Sequence, residues 1–364
     1  MMVLGFLLVL GPLVTVHELG HLLVGRVFGI KADAFSIGFG KELCGWNDKR
    51  GTRWKVSALP LGGYVQFAGD MNPASIPDDA AAAKFTRQER AEAFQFQPLW
   101  QRALVVAAGP ATNFLVAIAI LASFNYAYGR LEVAPVVKGV VEGNAAAEIG
   151  IKAGDRFVEL DGEPVGSFED VRSVVVQNPG ETLKLKMDRG GETIDLDFTI
   201  PTIVERDRFG NEFRIGRLGV YSVLGEYFDV GPFEAVGLAV TQTGDIVVMM
   251  VNGIWQIITG RRPISELGGP IKIAKFSGEQ LSLGWREFTY FAALISINLA
   301  FINLLPIPAL DGGHLAFYAA EAVRRKPVGA RGHELAYRTG VAFVLALMVF
   351  VTINDLASLP IFGR

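Results

Sequence analysis

A His-Glu-x-x-His pattern lies near the start of the chain, at His17, Glu18 and His21. Residues four apart lie on one face of a helix, about one turn from each other. Two imidazoles at this spacing can bind zinc, and the glutamate after the first histidine can act as a general base. The pattern therefore predicts a zinc hydrolase centre in which His17 and His21 are metal ligands and Glu18 is the catalytic residue.

The residues around this pattern are apolar from about residue 3 to residue 28, a run long enough to cross a bilayer. Ionisable side chains inside a membrane span are costly in free energy, so they usually mark a functional site. Of the 364 residues, 51% are hydrophobic and 20% are charged, which predicts a bundle of membrane spans with a soluble module attached. The net charge of −3 gives no basic surface for nucleic acid.

A catalytic zinc site needs three protein ligands and one open position for water. The two remaining histidines are His314, which follows the third apolar span, and His333, which lies in a cationic segment. We prefer Asp311, a carboxylate at the end of an apolar helix that Pro306 and Pro308 terminate. Irregular backbone at membrane depth is tolerated where it is buried in protein or lines a wet cavity, and an active site is such a cavity.

Four membrane spans are predicted, over about residues 3–28, 99–128, 288–307 and 339–359. Residues 231–259 are apolar but carry several polar side chains, which favours an amphipathic helix on the membrane surface. With four spans, Asp311 and the two histidines lie at one depth near the cytoplasmic face, and the cationic loop 321–338 is cytoplasmic. A fifth span at 231–259 would place Asp311 on the far side of the bilayer; the sequence leaves this alternative open.

Two segments outside the spans have strand patterns. Residues 52–58 and 64–67 predict a cytoplasmic β-hairpin around a turn at 59–63, and residues 72–97 predict a surface loop or helix. The hairpin either has no role, or its edge, including Tyr64 and Val65, holds an unwound substrate by strand addition. The second span contains Asn113 among small residues, which indicates helix packing more than direct catalysis.

Residues 130–201 are β-rich and punctuated by glycine, and the stretch Ile151-Lys152-Ala153-Gly154-Asp155 through Gly162 resembles a PDZ domain. Such domains bind extended peptides or C-termini by strand addition. The expected domains are a membrane core at 1–129, one PDZ domain at 130–201, a linker and surface helix at 202–287, and a second part of the membrane core at 288–364.

Taken together, the motifs resemble the site-2 protease family of intramembrane zinc metalloproteases, in particular its bacterial regulator-of-sigma-E-protease (RseP/MmpA) type. The matching motifs are His-Glu-Leu-Gly-His at 17–21, Gly-Phe-Gly at 38–40, Gly-Pro-Ala-Thr-Asn at 109–113 and Asn-Leu-Leu-Pro-Ile-Pro-Ala-Leu-Asp-Gly at 303–312. Gly269-Pro270-Ile271 and Asn354-Asp355 also match. Some members carry tandem PDZ domains, whereas this chain has room for one.

The resemblance implies Zn²⁺ bound by His17, His21 and Asp311, with Glu18 as general base. It also implies that Asn303 holds the substrate backbone and that the hairpin receives the substrate. The full set of expected substrate contacts is Asn303, Pro306, Pro308, Asn113, Tyr64 and Val65.

The expected fold is thus a polytopic α-helical membrane protein with four transmembrane helices, a membrane-associated β-hairpin and one extracytoplasmic PDZ domain. The expected activity is regulated intramembrane proteolysis of single-pass membrane proteins, of the anti-sigma-factor or signal-peptide-remnant type, already cut by another protease. The expected location is the bacterial cytoplasmic membrane, with the lipid bilayer as a partner and no nucleic acid. A metal or ion transporter and an inactive scaffold are the alternatives; the absence of an internal repeat counts against a transporter.

Overall fold

The apolar segments form long helices in the computed structural model, which describes residues 1–69, 85–206, 212–222, 225–264, 268–326 and 329–357. Within these ranges, five helices are long and apolar enough to cross a membrane: Met2–Val27, Leu99–Tyr128, Pro232–Ile258, Trp285–Leu304 and Glu334–Leu356. The chain divides into two compact units, one built mainly from residues 1–121 and 268–355 and the other centred on residues 122–238.

The helices and strands follow one another in the order α1 (Met2–Val27), β1 (Ala32–Asn47), β2 (Arg53–Phe67), α2 (Arg87–Glu92), α3 (Leu99–Tyr128), β3 (Arg130–Glu132), β4 (Val137–Val140), α4 (Ala145–Glu148), β5 (Arg156–Leu160), β6 (Glu163–Pro164), α5 (Phe168–Gln177), β7 (Thr182–Arg189), β8 (Glu192–Thr199), β9 (Thr202–Arg206), β10 (Glu212–Gly216), β11 (Val220–Ser222), β12 (Glu226–Phe228), α6 (Pro232–Ile258), α7 (Pro270–Leu283), α8 (Trp285–Leu304), α9 (Asp311–Arg324) and α10 (Ala330–Ala357). A single 3₁₀ turn, Phe94–Phe96, lies between α2 and α3.

In the first unit, α1 and α3 pack closely enough to share backbone contact. A Cβ atom on Gly20 of α1 would lie 2.6 Å from the carbonyl oxygen of Ala108 in α3, so a larger residue at position 20 would push the helices apart. A buried apolar cluster joins α1, β1, β2, α3 and α9 beneath this contact: Leu22, Ile30, Ala32, Phe35, Phe67, Phe94, Val105, Val106 and Tyr318. Close packing of this kind leaves few voids for movement, so it holds the helix that carries the two histidines in a fixed position.

The prediction that residues 52–67 form a hairpin is wrong. The segments 53–56 and 63–66 do not pair with each other; both belong to β2 and pair with the same β1 segment, 34–37, on its two sides. Phe35, for example, lies opposite Trp54 on one side and Val65 on the other. The two patterns were recognised correctly as strands, but the partner strand is β1, whose alternation is interrupted by glycines.

Those glycines explain how β1 bends. Gly38 and Gly40 have φ angles of +90° and +88°, which residues with a side chain rarely adopt. A Cβ atom on Gly38 would also lie 2.7 Å from the carbonyl oxygen of Leu59. The bend allows residues 42–47 of β1 to pair with residues 53–57 of β2. It leaves residues 63–67 at the edge of the sheet.

The second unit contains a four-stranded sheet in the order β6-β5-β7-β8, together with the pairs β4–β11, β3–β12 and β9–β10. Its buried apolar core includes Val137, Phe157, Leu160, Val171, Leu185, Met187, Phe198 and Leu218. Residues 202–228 were predicted to be linker, and this is corrected for the residues that the structure describes there, 202–206, 212–222 and 225–228. They include four strands, and β11 and β12 pair with strands on the far side of the predicted boundary at residue 201. Strand pairing across a long sequence separation is not visible in a local pattern.

An ion pair between the buried Asp155 and the partly exposed Arg189 fixes the turn of the PDZ-like stretch in this unit. Two guanidinium nitrogens of Arg189, Nε and Nη2, donate to the carboxylate of Asp155, each at 2.6 Å, and the backbone N–H of Lys152 donates to the same carboxylate at 2.8 Å. The hydrogen bonds from Arg189 lower the pKa of Asp155 below its ordinary value. A two-point pair of this geometry holds strand β7 to the turn before β5.

Two other predictions concern charged segments between the long helices and strands. The predicted cationic loop 321–338 is mostly helical, because α9 continues to Arg324 and α10 begins at Ala330; arginine and alanine are good helix formers, so clustered charge was a poor guide. Residues 70–84, within the segment predicted as a surface loop or helix, lie outside the described residues, and the described part contains α2.

Two of the motifs that contributed to the family resemblance contact each other. The Asp355 carboxylate near the end of α10 accepts hydrogen bonds from the backbone N–H groups of Gly269, Ile271 and Lys272 at 3.0 to 3.1 Å. Asp355 therefore caps the N-terminus of α7, where unpaired N–H groups favour a negative charge. This contact fixes the last long helix against the segment before α8.

Candidate metal centre

Three side chains from distant parts of the chain converge at one point. The ligand atoms of His17, His21 and Asp311 all lie within 4.8 Å of one another. Nε2 of His17 is 3.2 Å from Nε2 of His21 and 3.1 Å from Oδ2 of Asp311, and Nε2 of His21 is 3.6 Å from the same oxygen. Both rings present the same nitrogen, so two nitrogens and one carboxylate oxygen face a shared centre.

Helix α1 supplies both histidines from one face, as the four-residue spacing requires. Helix α3 lies against the same face, and a Cβ atom on Gly109 would clash with Nε2 of His21 and lie 2.7 Å from Nε2 of His17. Only a glycine leaves room for the two rings at this place. Gly109 therefore shapes the centre, although the sequence alone indicated only a residue for helix packing.

Asp311 is the first residue of α9, directly after the irregular segment 305–310. Ala309 in this segment has a φ angle of +93°, a conformation that is strained for a residue with a side chain. Helix α10 supports the segment from outside, since a Cβ atom on Gly340 would collide with the carbonyl oxygen of Pro308. The position of Asp311 thus depends on packing between α9, α10 and the proline-containing segment.

The other nitrogen of each imidazole has its own partner. Nδ1 of His21 lies 2.8 Å from the carbonyl oxygen of Val105, and Nδ1 of His17 lies 3.1 Å from Nδ2 of Asn113. Histidines that bind metals usually have such a partner on the second nitrogen, which fixes the ring orientation. Both partners belong to α3.

The donor set fits zinc. Two neutral imidazole nitrogens and one carboxylate oxygen form a three-ligand set that catalytic zinc sites use. Oδ2 of Asp311 is buried and accepts no hydrogen bond, although both histidine nitrogens lie near it. A buried carboxylate oxygen without a donor carries a free-energy cost that a cation between the three groups would offset.

Glu18 lies beside this centre and contacts the sheet edge. Its Oε2 accepts a hydrogen bond of 3.1 Å from the backbone N–H of Val65 in β2. The N–H of Val65 therefore points away from β1 and toward the centre. A cavity of about 660 Å³ joins these groups, lined by His17, Glu18, His21, Tyr64, Val65, Gln66, Asn303, Asp311, His314 and Tyr318 among others.

The predicted site residues divide into two groups. Besides the three candidate ligands and Glu18, the cavity wall includes Tyr64, Val65 and Asn303. Pro306, Pro308 and Asn113 do not line this cavity, and their role as substrate contacts stays a prediction. The prolines shape the segment before Asp311, and Asn113 is fully buried behind His17. Local sequence patterns could not distinguish a residue that lines a cavity from one that supports its wall.

His314 and Tyr318 line the cavity but were not among the predicted site residues. They follow Asp311 by three and seven residues, so all three lie on one face of α9. This spacing is a signal in the sequence that could have identified them.

Comparison with known proteins gives a match over nearly the whole chain. The model of peptidase family M50 matches residues 5–347. A protein of Agrobacterium fabrum named as a zinc metalloprotease is 46% identical over 359 residues, covering 97% of this chain and 95% of its own. Metalloprotease MmpA of Caulobacter vibrioides is 36% identical over 386 residues, covering 99% of this chain and 96% of its own.

Among solved structures, the PDZ domain of an SdrC-like protein from Listeria monocytogenes aligns with 24% identity and a TM-score of 0.21, covering 25% of this chain and 87% of that domain.

Proposed function

The chain belongs to peptidase family M50, the site-2 protease family, and is a zinc metalloprotease; from this premise we propose a substrate class. We propose that the protein cleaves single-pass membrane proteins within the bilayer. The observation that carries the proposal is the convergence of His17, His21 and Asp311 beside a cavity formed among long apolar helices. A hydrolytic centre at membrane depth suits a substrate that is itself in the membrane.

His17, His21 and Asp311 hold the zinc ion in this proposal, and Glu18 is the general base. When bound, zinc polarises the carbonyl group of the peptide bond to be cleaved and lowers the pKa of its bound water to about 7. The carboxylate of Glu18 takes the proton of the attacking water and transfers it to the leaving amine. Its hydrogen bond from the Val65 N–H keeps the carboxylate directed at the cavity.

A transmembrane substrate must unwind before cleavage, because its peptide groups are bonded within the helix. We propose that residues 63–67 of β2 receive the unwound segment as an added strand. This segment is at the sheet edge and also lines the cavity, through Tyr64 and Val65. The amide of Asn303 faces the same cavity and can bond to the substrate backbone.

Replacing Val65 with proline tests the role of the strand edge. Proline is tolerated in an edge strand where the N–H does not pair with the neighbouring strand, as at Val65. The change removes the backbone donor that directs the Glu18 carboxylate, so we expect cleavage of a single-span reporter to fall about tenfold, the order of one charge-assisted hydrogen bond. Reporter cleavage in membranes is the measurement.

Val65→Ala is the matched control for this change. It shortens the same side chain but keeps the N–H, so cleavage should stay close to that of the parent protein. Equal losses in the alanine and proline variants would assign the effect to the side chain and contradict a role for the N–H of Val65 at the sheet edge.

The proposed topology has four spans, α1, α3, α8 and α10, with α6 on the membrane surface. It places the centre near the cytoplasmic face of the bacterial cytoplasmic membrane and the β-rich unit, a PDZ domain extended here to residue 228, outside the cytoplasm. The support is that the two histidines and Asp311 lie within 4.8 Å of one another. With four spans, the ends of α1 and α8 that carry them lie at the same face of the membrane. Helix α6 is also long and apolar enough to span a membrane, and topology reporters distinguish the two arrangements.

Topology reporters at two positions decide between four and five spans. A reporter fused at Asp188 should behave as external, and one fused at Lys326 should behave as cytoplasmic, since only one span, α8, lies between the two positions. Both reporters on the same side of the membrane would contradict the arrangement with α6 on the surface.

The proposed substrate class comes from the resemblance to the site-2 protease family. We propose that the external domain selects substrates whose outer portion another protease has already shortened, as in regulated cleavage of an anti-sigma factor or removal of signal-peptide remnants. The cavity at the sheet edge supports a peptide substrate.

Metal removal tests the function itself. A purified preparation should cleave a single-span reporter, lose the activity on treatment with a chelator, and regain it on addition of stoichiometric zinc. Cleavage that persists in the chelator would contradict a zinc mechanism. Zinc binding without cleavage of any membrane reporter would favour an inactive scaffold, and zinc or ion flux into proteoliposomes would favour a transporter.

A further inference from the structure

We propose that Asn113 is a positioning residue that accepts a hydrogen bond from Nδ1–H of His17, and so leaves Nε2 of this ring free to bind the metal. The inference rests on the proposed function and extends it to a residue that does not line the cavity. Asn113 is 96 positions away from His17 in the sequence, and its amide nitrogen lies 3.1 Å from Nδ1 of the ring.

His21 shows what a metal-binding imidazole requires here. Its Nδ1 lies 2.8 Å from the carbonyl oxygen of Val105, which can only accept, so Nδ1 must carry the proton. A neutral imidazole carries one N–H, so Nε2 of His21 has a free lone pair directed at Asp311. Val105 thus selects the tautomer of His21 that can bind a metal.

His17 needs the same tautomer, because its Nε2 faces the same centre. If the amide nitrogen of Asn113 donated to Nδ1, the proton of His17 would be on Nε2, and this nitrogen could not bind zinc. If the amide oxygen accepted from Nδ1–H instead, the lone pair on Nε2 would be available. The two orientations of one amide group therefore have opposite consequences for the metal centre.

A second observation favours the acceptor orientation. Oδ1 of Asn113 is buried and has no hydrogen-bond partner, which costs free energy. The two ends of an asparagine amide have nearly the same shape, so a half-turn exchanges them without displacing neighbours. The half-turn gives the oxygen a donor, the N–H of His17, and places an acceptor behind this ring as Val105 does behind His21.

Asn113 is well placed to fix an orientation. Its side chain is fully buried, at 0% exposure. Its backbone carbonyl accepts a hydrogen bond of 2.7 Å from Oγ of Ser296 in α8. One turn earlier on α3, Gly109 lies directly against both imidazole rings. The Gly-Pro-Ala-Thr-Asn segment thus supplies both the space for the rings and the group that orients one of them.

Substitutions at Asn113 can separate an acceptor from a donor. Leucine has a similar volume and no hydrogen-bonding group, and an ionised aspartate accepts but cannot donate. We expect Asn113→Leu to weaken zinc binding about 10- to 100-fold, the usual effect of losing a partner of a metal-binding histidine. We expect Asn113→Asp to keep zinc affinity within about threefold of the parent or to increase it, since carboxylates are common partners of such histidines.

The measurement is zinc affinity by competition with a chelator, with full-length protein in detergent, and it does not depend on peptidase activity. Ser296→Ala is the matched control, because it removes a contact to the backbone of Asn113 and leaves the amide in place; its affinity should equal that of the parent. Thermal unfolding of each variant without added zinc identifies any that fail to fold.

The outcomes distinguish this inference from the proposed function. If Asn113→Leu folds and binds zinc as tightly as the parent, or if Asn113→Asp loses affinity as Asn113→Leu does, the acceptor role is wrong while the zinc centre stands. If the parent itself binds no zinc, the proposed function fails first. Weak binding in Asn113→Leu with recovery in Asn113→Asp supports the inference.

Discussion

Glu18→Gln is expected to reduce cleavage of a single-span membrane reporter by at least about 100-fold while zinc remains bound, since general-base catalysis contributes about 10²- to 10⁴-fold. Glutamine keeps the size of the side chain and can still accept the hydrogen bond from the Val65 N–H, but it cannot take a proton from water. Reporter cleavage and zinc content, measured on the same preparation, test the two parts of this prediction.

Glu42→Gln provides the matched control. Glu42 is a carboxylate of the same sheet that pairs with Arg53 at 2.5 Å and lies outside the cavity wall, so its neutralisation should leave cleavage unchanged. Full cleavage by Glu18→Gln would remove Glu18 from the mechanism. Loss of both cleavage and zinc in this variant would indicate a role in metal binding instead.

Asp311→Ala is expected to lower zinc affinity by more than about 100-fold, because loss of a ligand costs more than loss of a ligand's partner, which itself costs about 10- to 100-fold. It leaves the two nitrogens of His17 and His21 as the remaining members of the cluster. Cleavage should fall in proportion to the zinc lost at low zinc concentration, and the chelator competition assay measures the affinity directly.

Asp33→Asn is the control for this second prediction, because Asp33 is a half-exposed carboxylate that pairs with Lys31 at 3.7 Å and lies outside the cavity wall. Zinc affinity should not change in this variant. Full retention of zinc by Asp311→Ala would exclude Asp311 from the ligand set and direct attention to His314, which lines the same cavity three residues later.

The chemistry of the candidate site was predictable because it depends on short patterns. The four-residue spacing of His17 and His21 places both on one face of any helix. Glu18 is next to His17 in the same helix, so its position close to the two histidines was predictable as well. The long apolar runs also required helices, because backbone groups in lipid must be paired within their own segment. The strand patterns at 52–58 and 64–67 were local as well, and both segments are strands.

The partners of these elements were decided by the tertiary structure. The two strand segments pair with β1 and not with each other, because bends at Gly38 and Gly40 bring distant residues together. Strands 202–228 join the second unit by pairing across tens of residues, so the expected boundary at residue 201 was too early.

The difference between what the sequence determines and what the tertiary structure decides is clearest at the metal centre. The sequence by itself determined that His17, Glu18 and His21 share one helix, and topology arguments suggested Asp311 as the third member. Only packing between α1, α3 and α9 brings the three candidate ligands within 4.8 Å, leaves space for their rings beside Gly109, and places Asn113 behind His17. Helical periodicity acts over a few residues, whereas these contacts depend on close packing between segments that are far apart in the chain.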